Sequence, residues 1–199
     1  MKTCSLTYTL LIIIILFIPF ISFSQEGKSK TSSSSGGWTG NINVSIATKD
    51  LDENQWSPYQ EHASFTYSLD FSRASNGWGF VLSGVTSTSD NGEKIEVAHT
   101  EVITEETRVG LIKTWYPSER FRIYVSGGAT LIKGSINTAS STVEGEENGT
   151  FYEFGVYWTL INAINLGFVI DTSMADIILD DTTYNAGGHR SGFIIGYHW

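Results

Sequence analysis

Hydrophobic and polar residues alternate with a period of two through most of the chain after Trp38. The clearest stretch spans residues 62–73, where one parity holds Ala63, Phe65, Tyr67, Leu69 and Phe71 and the other holds Ser64, Thr66, Ser68, Asp70 and Ser72. Successive side chains of a β-strand point to opposite faces, so this pattern predicts a strand with one apolar face. No stretch keeps a helical period over three turns. The chain is therefore predicted to be all-β.

Eight stretches of this kind are predicted as strands. They span residues 38–48, 62–73, 77–88, 104–116, 120–133, 150–160, 164–171 and 185–199. The facing of strand 104–116 stays open, because Val109 and Leu111 share a parity with Lys113. The last strand keeps an apolar face up to the final residue, made of Phe193, Ile195, Tyr197 and Trp199.

The connections between these strands alternate in length. Residues 74–76, 117–119 and 161–163 are tight turns, whereas 49–61, 89–103, 134–149 and 172–184 are long and polar. Transmembrane barrels combine short periplasmic turns with long external loops. The pattern therefore predicts an eight-stranded antiparallel up-and-down transmembrane β-barrel with both ends of the barrel sequence on the periplasmic side.

A soluble lipocalin-like barrel would use the same alternation with the apolar face turned inward. Lipid on the outside is favoured because the polar face is rich in Gly, Ser, Thr and Asn and because aromatic residues gather near strand ends, as membrane girdles do. These aromatic residues are Trp38, Phe71, Trp78, Trp115, Phe121, Trp158 and Trp199. The inward face would then carry Asp70, Arg122, Glu153 and Arg190. Buried charges persist when they are paired, so we expect these four to form a lumen network that holds a pore-free barrel shut.

The amino terminus reads as an export signal. Lys2 precedes an apolar run that is too short for a spanning helix, and the triplet 22–24 marks a cleavage site. We expect residues 1–24 to be a signal peptide, 25–37 a flexible leader and 38–199 the barrel domain. Cys4, the one cysteine, lies inside the signal. No disulfide, metal site or cofactor is expected, and the formal charge of −9 argues against nucleic acid as a partner.

The barrel sequence resembles the small bacterial outer-membrane β-barrel families typified by OmpA, OmpX and OmpW. The resemblance lies in Tyr157-Trp158, in Asn165-Leu166-Gly167 and in the closing run of residues 186–199. That closing run also resembles exported barrel proteins with a Gly-Gly-x-His-x-Gly segment and a terminal Gly-Tyr-x-Trp. The resemblance implies a location in the bacterial outer membrane and assembly by the barrel-assembly machinery, which reads the closing strand. It brings no catalytic residue.

A lipid A hydrolase is a competing hypothesis that rests on His189 and Ser191. Small barrels of this kind include lipid A deacylases with a His-x-Ser pair on the lipid-facing surface, and residues i and i+2 of a strand share a face. Here Gly192 follows the serine where that family has asparagine, and no partner acid can be assigned. We therefore expect no enzymatic activity.

Acidic residues concentrate in the long connections and their flanks, which hold seventeen of the twenty-one Asp and Glu residues. The expected function is a structural or surface-interaction role carried by acidic external loops in contact with outer-membrane lipid and lipopolysaccharide. Two further functions are compatible with the sequence: a narrow carrier of hydrophobic small molecules and a secreted lipocalin-like binder.

Overall fold

The computed structural model describes residues 37–57, 59–90, 101–138, 140–160 and 163–199. The barrel strands are β1 (Trp38–Asp50), β2 (Glu61–Arg73), β3 (Trp78–Asp90), β4 (Glu101–Trp115), β5 (Phe121–Asn137), β6 (Thr142–Thr159), β7 (Ile164–Met174) and β10 (Gly188–His198). A separate hairpin contains β8 (Asp176–Leu179) and β9 (Thr182–Asn185), and one helical turn, α1 (Glu53–Trp56), follows β1. The expected signal peptide and leader residues 25–36 lie outside the described residues, as does His99. No helix in the described ranges is long and apolar enough to cross a membrane.

Closure of the barrel comes from pairing of the first strand with the last. Going round the barrel, the strand order is β1-β10-β7-β6-β5-β4-β3-β2, and all neighbours are antiparallel. Trp199 extends this pairing, since its backbone N–H and C=O exchange hydrogen bonds of 3.1 Å with Gly40. A closed sheet leaves no unpaired edge, which hydrocarbon requires of a spanning structure. The predicted eight-stranded up-and-down barrel is confirmed.

The two ends of the barrel differ in their connections. At the end where β1 begins and β10 finishes, here called the terminal end, short turns join the strands. Their side chains close them: Asn76 Oδ1 accepts from the backbone N–H of Trp78 at 3.1 Å, and Ser118 Oγ accepts from that of Phe121 at 3.1 Å. The opposite end, here called the loop end, carries α1 and the β8–β9 hairpin.

Apolar side chains point outward and small polar ones inward. On β2, Phe65 and Tyr67 are 44% and 49% exposed, while Ser64, Thr66 and Ser72 are buried. On β4, Val109 and Leu111 point outward and Arg108 points inward, which resolves the facing that the sequence left open. The lipocalin-like hypothesis needs the reverse facing and is therefore wrong.

The seven aromatic residues predicted near strand ends form one girdle at the terminal end, where each lies within two residues of the point at which its strand begins or ends. Two ring contacts link neighbours within it. Phe71 meets Trp199 edge to face, with ring centroids 6.1 Å apart, and Phe121 lies tilted against Trp158, with centroids 5.9 Å apart. Amphipathic rings at one level of a barrel are typical of a membrane interface.

The strands at the loop end are longer than predicted. β6 begins at Thr142, eight residues before the predicted start, and β5 extends four residues beyond its predicted end. Residues 134–149 and 172–184, predicted as polar loops, thus contain strand extensions and the β8–β9 hairpin.

Candidate functional site

The lumen near the loop end contains a ladder of six charged side chains, three acids and three bases, that are joined by ion pairs. Four of them form one interior row in the sheet register: Glu153 on β6, Asp171 on β7, Arg190 on β10 and Lys49 on β1. The other two, Glu106 and Arg108, come from β4, which stands opposite β10 in the ring of strands. The ladder therefore joins opposite walls of the barrel across the lumen.

Glu106 accepts from two cations at once. Its Oε1 lies 2.8 Å from Lys49 Nζ, and its Oε2 lies 2.7 Å from Arg108 Nη2. Lys49 also donates to Thr104 Oγ1 and to the carbonyl oxygen of Ala186, both at 3.1 Å. All three donor directions of this ammonium group are thus used, which a fully buried lysine requires.

Asp171 joins the two arginines. Its Oδ1 lies 2.9 Å from Arg108 Nη2, and its Oδ2 accepts from Nε and Nη2 of Arg190, both at 2.6 Å. Glu153 stands 3.9 Å from Arg108 and 3.7 Å from Arg190. Three carboxylates therefore face three cations in a layer where the other five side chains are at most 1% exposed and that of Glu153 is 12% exposed.

Aromatic side chains continue this network toward the terminal end. Tyr124 donates a 2.9 Å hydrogen bond to Glu153, and its ring stacks on Tyr157 with centroids 4.9 Å apart. Tyr157 accepts in turn from Asn43 Nδ2 at 3.1 Å. Both tyrosines belong to a buried apolar cluster inside the barrel that includes Phe151, so side chains fill the middle of the lumen.

Asn41 is the centre of a second polar cluster near the terminal end. Its Nδ2 donates to Asp70 at 2.7 Å, while its Oδ1 accepts from Asn165 at 2.8 Å and from Arg122 at 3.3 Å. His198 Nδ1 lies 3.1 Å from the same oxygen. Asp70 also accepts from Asn43 at 3.3 Å, which connects this cluster to the tyrosine pair.

All four charges expected in the lumen lie there, but in two separate places. Glu153 and Arg190 belong to the ladder, whereas Asp70 and Arg122 belong to the Asn41 cluster and meet through amide groups. Sequence reasoning missed the other ladder residues, which are Lys49, Glu106, Arg108 and Asp171. The signal was available in the parity of Lys49, which continues the inward series Asn41, Asn43 and Ser45.

An apolar cap closes the loop end. Its buried members are Leu51, Trp56, Val102, Ile132, Ala175, Ile177, Leu179 and Ala186, with Tyr59, Ile136, Val143 and Tyr184 packed against them. Trp56 Nε1 donates a 2.7 Å hydrogen bond to the carbonyl oxygen of Asn185, which ties the segment after β1 to the end of the hairpin. The connections predicted as polar and solvated thus share a small core of their own.

The interior between these layers is narrow. A cavity lined by Asn43, Ser45, Thr66, Tyr124 and other lumen residues has a volume of about 10 Å³. That is about the space of one water molecule.

A larger groove, of about 700 Å³, runs along the outer wall. The sheet register places two outward rows in it. The row nearer the loop end contains Tyr152, Thr172, His189 and Asp50, and the next row contains Phe154, Ile170 and Ser191. The residues of the candidate His-x-Ser pair therefore lie in this groove, and Asp50 stands directly across from His189.

The exposed surface of the loop end is acidic. Its exposed carboxylates include Asp52, Glu61, Glu105, Glu144, Glu146, Glu147, Asp176, Asp180 and Asp181. In the described part of this end, Lys133 is the one Lys or Arg residue that is not buried, and it lies 3.0 Å from Glu144. This hydrogen-bonded carboxylate raises the pKa of Lys133 above its usual value. Within the described residues, no group of three or more His, Cys, Asp or Glu side chains is arranged to hold a metal ion.

No protein-family model and no curated protein matches the sequence. Solved structures that are similar in fold include the three that follow. Ail of Yersinia pestis, in complex with the heparin analogue sucrose octasulfate, has a TM-score of 0.59 and 14% identity over 83% of this chain and 100% of that chain. The outer membrane protein OprG from Pseudomonas aeruginosa has a TM-score of 0.55 and 14% identity over 82% of this chain and 97% of that chain. Neisserial surface protein A has a TM-score of 0.51 and 11% identity over 83% of this chain and 97% of that chain. The chain therefore has the fold of small bacterial outer-membrane β-barrels.

Proposed function

We propose that this protein is an integral barrel of the bacterial outer membrane that is closed to diffusion and meets its partners at the loop end. An exposed apolar wall on a closed sheet is stable in lipid and unfavourable in water. Short turns face the periplasm in such barrels, so the loop end is the external one. The predicted outer-membrane location agrees with the fold of the three similar structures.

The observation that carries the closed state is the ladder across the lumen. Glu106 on one wall pairs with Lys49 on the other, and Arg108 pairs with Asp171, which also binds Arg190. Opening a path would separate charges that are already desolvated, which is costly. The apolar cap adds a second barrier above the ladder. Together with Asp70 and Arg122, these groups form the network that holds the barrel shut.

Conductance recording tests this closed state. Purified wild-type protein inserted into planar bilayers should give no discrete conductance steps, whereas a general porin recorded in the same bilayers supplies the positive control. Steps that persist in the pure protein would contradict the proposal and favour a carrier of hydrophobic small molecules.

The acidic loop end favours cationic partners or cation-bridged lipopolysaccharide. Glu144, Glu146 and Glu147 project from β6, and Lys133 offsets one of them. The Ail structure holds a polysulfated sugar, but like charges disfavour such a ligand on this surface.

Binding of charged probes tests this preference. Pentalysine should bind to the protein with an affinity that falls as salt rises, and sucrose octasulfate should not bind. The triple change Glu144→Gln, Glu146→Gln and Glu147→Gln should weaken pentalysine binding, while Glu119→Gln at the terminal end should not.

The closing strand has a separate role in biogenesis. Phe193, Ile195, Tyr197 and Trp199 form its outward face, on which Phe193 is 75% exposed and Ile195 53%. We assign this face as the segment that the barrel-assembly machinery recognises before β10 pairs with β1.

A further inference from the structure

Asp50, His189 and Ser191 occupy neighbouring positions on the outer wall. Asp50 of β1 is paired with His189 of β10 in the sheet register, and Ser191 is two residues further along β10 on the same face. Directly opposite residues have Cβ atoms about 5 Å apart, and residues i and i+2 of one strand lie about 7 Å apart. An imidazole between the other two side chains can therefore reach both.

All three side chains are exposed, and in the described structure none of them is held in a hydrogen bond or ion pair with another residue. They are thus free to turn toward a bound substrate. The acid that the sequence could not supply comes from another strand, 139 positions before His189. An acid, an imidazole and a hydroxyl on one face are the parts of a nucleophilic hydrolytic site.

The groove around these residues indicates the class of substrate. Its row nearer the loop end is polar, with Asp50, Thr172 and His189, whereas Phe154 and Ile170 form an apolar floor toward the membrane middle. Val125 and the bare backbone of Gly127 extend the floor onto β5. This layout fits an amphiphile that lies along the barrel with its polar head at the rim and an acyl chain below.

We infer that Asp50, His189 and Ser191 form a hydrolytic site for acyl esters of lipids in the leaflet that surrounds the loop end. The inference rests on the proposed position of the barrel in the membrane and goes beyond the closed lumen, on which it does not depend. Thr172 of β7 is paired with His189 on the side away from Asp50, and its hydroxyl can donate to the carbonyl oxygen of the substrate ester.

The reaction divides into two steps. Ser191 Oγ attacks the ester carbonyl carbon while its proton passes to the imidazole of His189. The bond between that carbon and the head-group oxygen breaks, and the imidazolium returns the proton to the leaving alcohol. Water from the rim then attacks the acyl-serine with His189 as base, which releases the fatty acid and restores the serine hydroxyl. Asp50 acts as a positioning residue that orients the imidazole.

The test uses the full barrel refolded in two kinds of vesicle, one of phospholipid with isotope-labelled acyl chains and one with lipopolysaccharide added. Wild-type protein should release fatty acid, and mass spectrometry identifies whether labelled phospholipid or lipopolysaccharide supplies it. A fluorophosphonate probe should label Ser191. Ser191→Ala and His189→Gln should each lower the release at least about 100-fold, while Thr48→Ala, beside Ser191 on β1, should leave it unchanged.

The variant Asp50→Asn tests whether Asp50 orients the imidazole of His189 or only supports the fold. It should lower kcat with little change in KM and change the pH profile of kcat, while the heat-modifiable gel mobility of every variant stays that of the wild type. Equal release by wild type and Ser191→Ala would overturn the inference. So would the absence of both release and Ser191 labelling in the two kinds of vesicle.

Discussion

Glu106 is the residue on which the ladder depends most, because its carboxylate is shared by Lys49 and Arg108, at 2.8 and 2.7 Å. Replacing it by the isosteric glutamine keeps the volume and removes the charge. Two buried cations then lose their shared anion, and breaking one side of a buried ion pair costs about 3–5 kcal/mol. Glu106→Gln should therefore lower the free energy of unfolding by about that amount in denaturant titrations of protein folded into lipid vesicles.

Glu146→Gln is the matched control, since Glu146 is an exposed carboxylate at the loop end. Its effect should stay within about 0.5 kcal/mol, as for most surface substitutions. If the two variants were equally stable, the ladder would not be the element that holds the lumen together.

Parity along a single strand predicts part of this site. It correctly turns Asp70, Arg122, Glu153 and Arg190 inward, because each alternates with clear apolar neighbours. The same pattern counts Glu106 and Asp171 among the acids of the loops and their flanks, because apolar alternation fades before the strands end. The role of these two acids depends on cations from other strands. A single strand's sequence does not contain the register that brings those cations close.

At the scale of elements, glycine explains why the loop end is hard to predict. Gly134 and Gly145 resemble turn residues in the sequence, yet both lie inside strands, β5 and β6. A Cβ at Gly145 would overlap the carbonyl oxygen of Ile178, and one at Gly134 would overlap the side chain of Ile177. These glycines make room for the β8–β9 hairpin to pack on the barrel strands. In a sequence, a glycine that forms a turn cannot be told from a glycine that lets another segment approach the backbone closely.

The closing strand gives the prediction at this scale. Trp199 and Trp158 belong to the same girdle, are 40% and 56% exposed, and each contacts the ring of one phenylalanine. If the assembly machinery reads the end of β10, Trp199→Ala should reduce the amount of folded protein in the outer membrane several-fold, whereas Trp158→Ala should reduce it little. Both variants should refold alike in vitro in detergent. Equal losses in the cell would mean that the girdle matters for stability and that the last residue is not a recognition signal.

At the scale of the whole molecule, charge is distributed by environment. The lumen contains four acids, Glu106, Glu153, Asp171 and Asp70, and four bases, Lys49, Arg108, Arg190 and Arg122. Among the described residues, the interior thus has no formal net charge, and the surplus of acids lies outside it. A neutral interior allows the barrel to close, while the exposed acids set the character of the loop end.

The lipid-facing belt yields the prediction for the whole barrel. Val109 on β4 is 59% exposed and lies six residues from the girdle residue Trp115, about 15 Å along the membrane normal for a strand tilted by about 40°. Ile178 is 63% exposed but lies on the hairpin of the loop end, outside the belt. Val109→Arg should destabilise the protein in vesicles by about 2–4 kcal/mol, and Ile178→Arg by about 0–1 kcal/mol. Because the two side chains are almost equally exposed, only lipid around β4 accounts for such a difference; equal effects in the denaturant titration would mean that water surrounds the barrel wall at Val109.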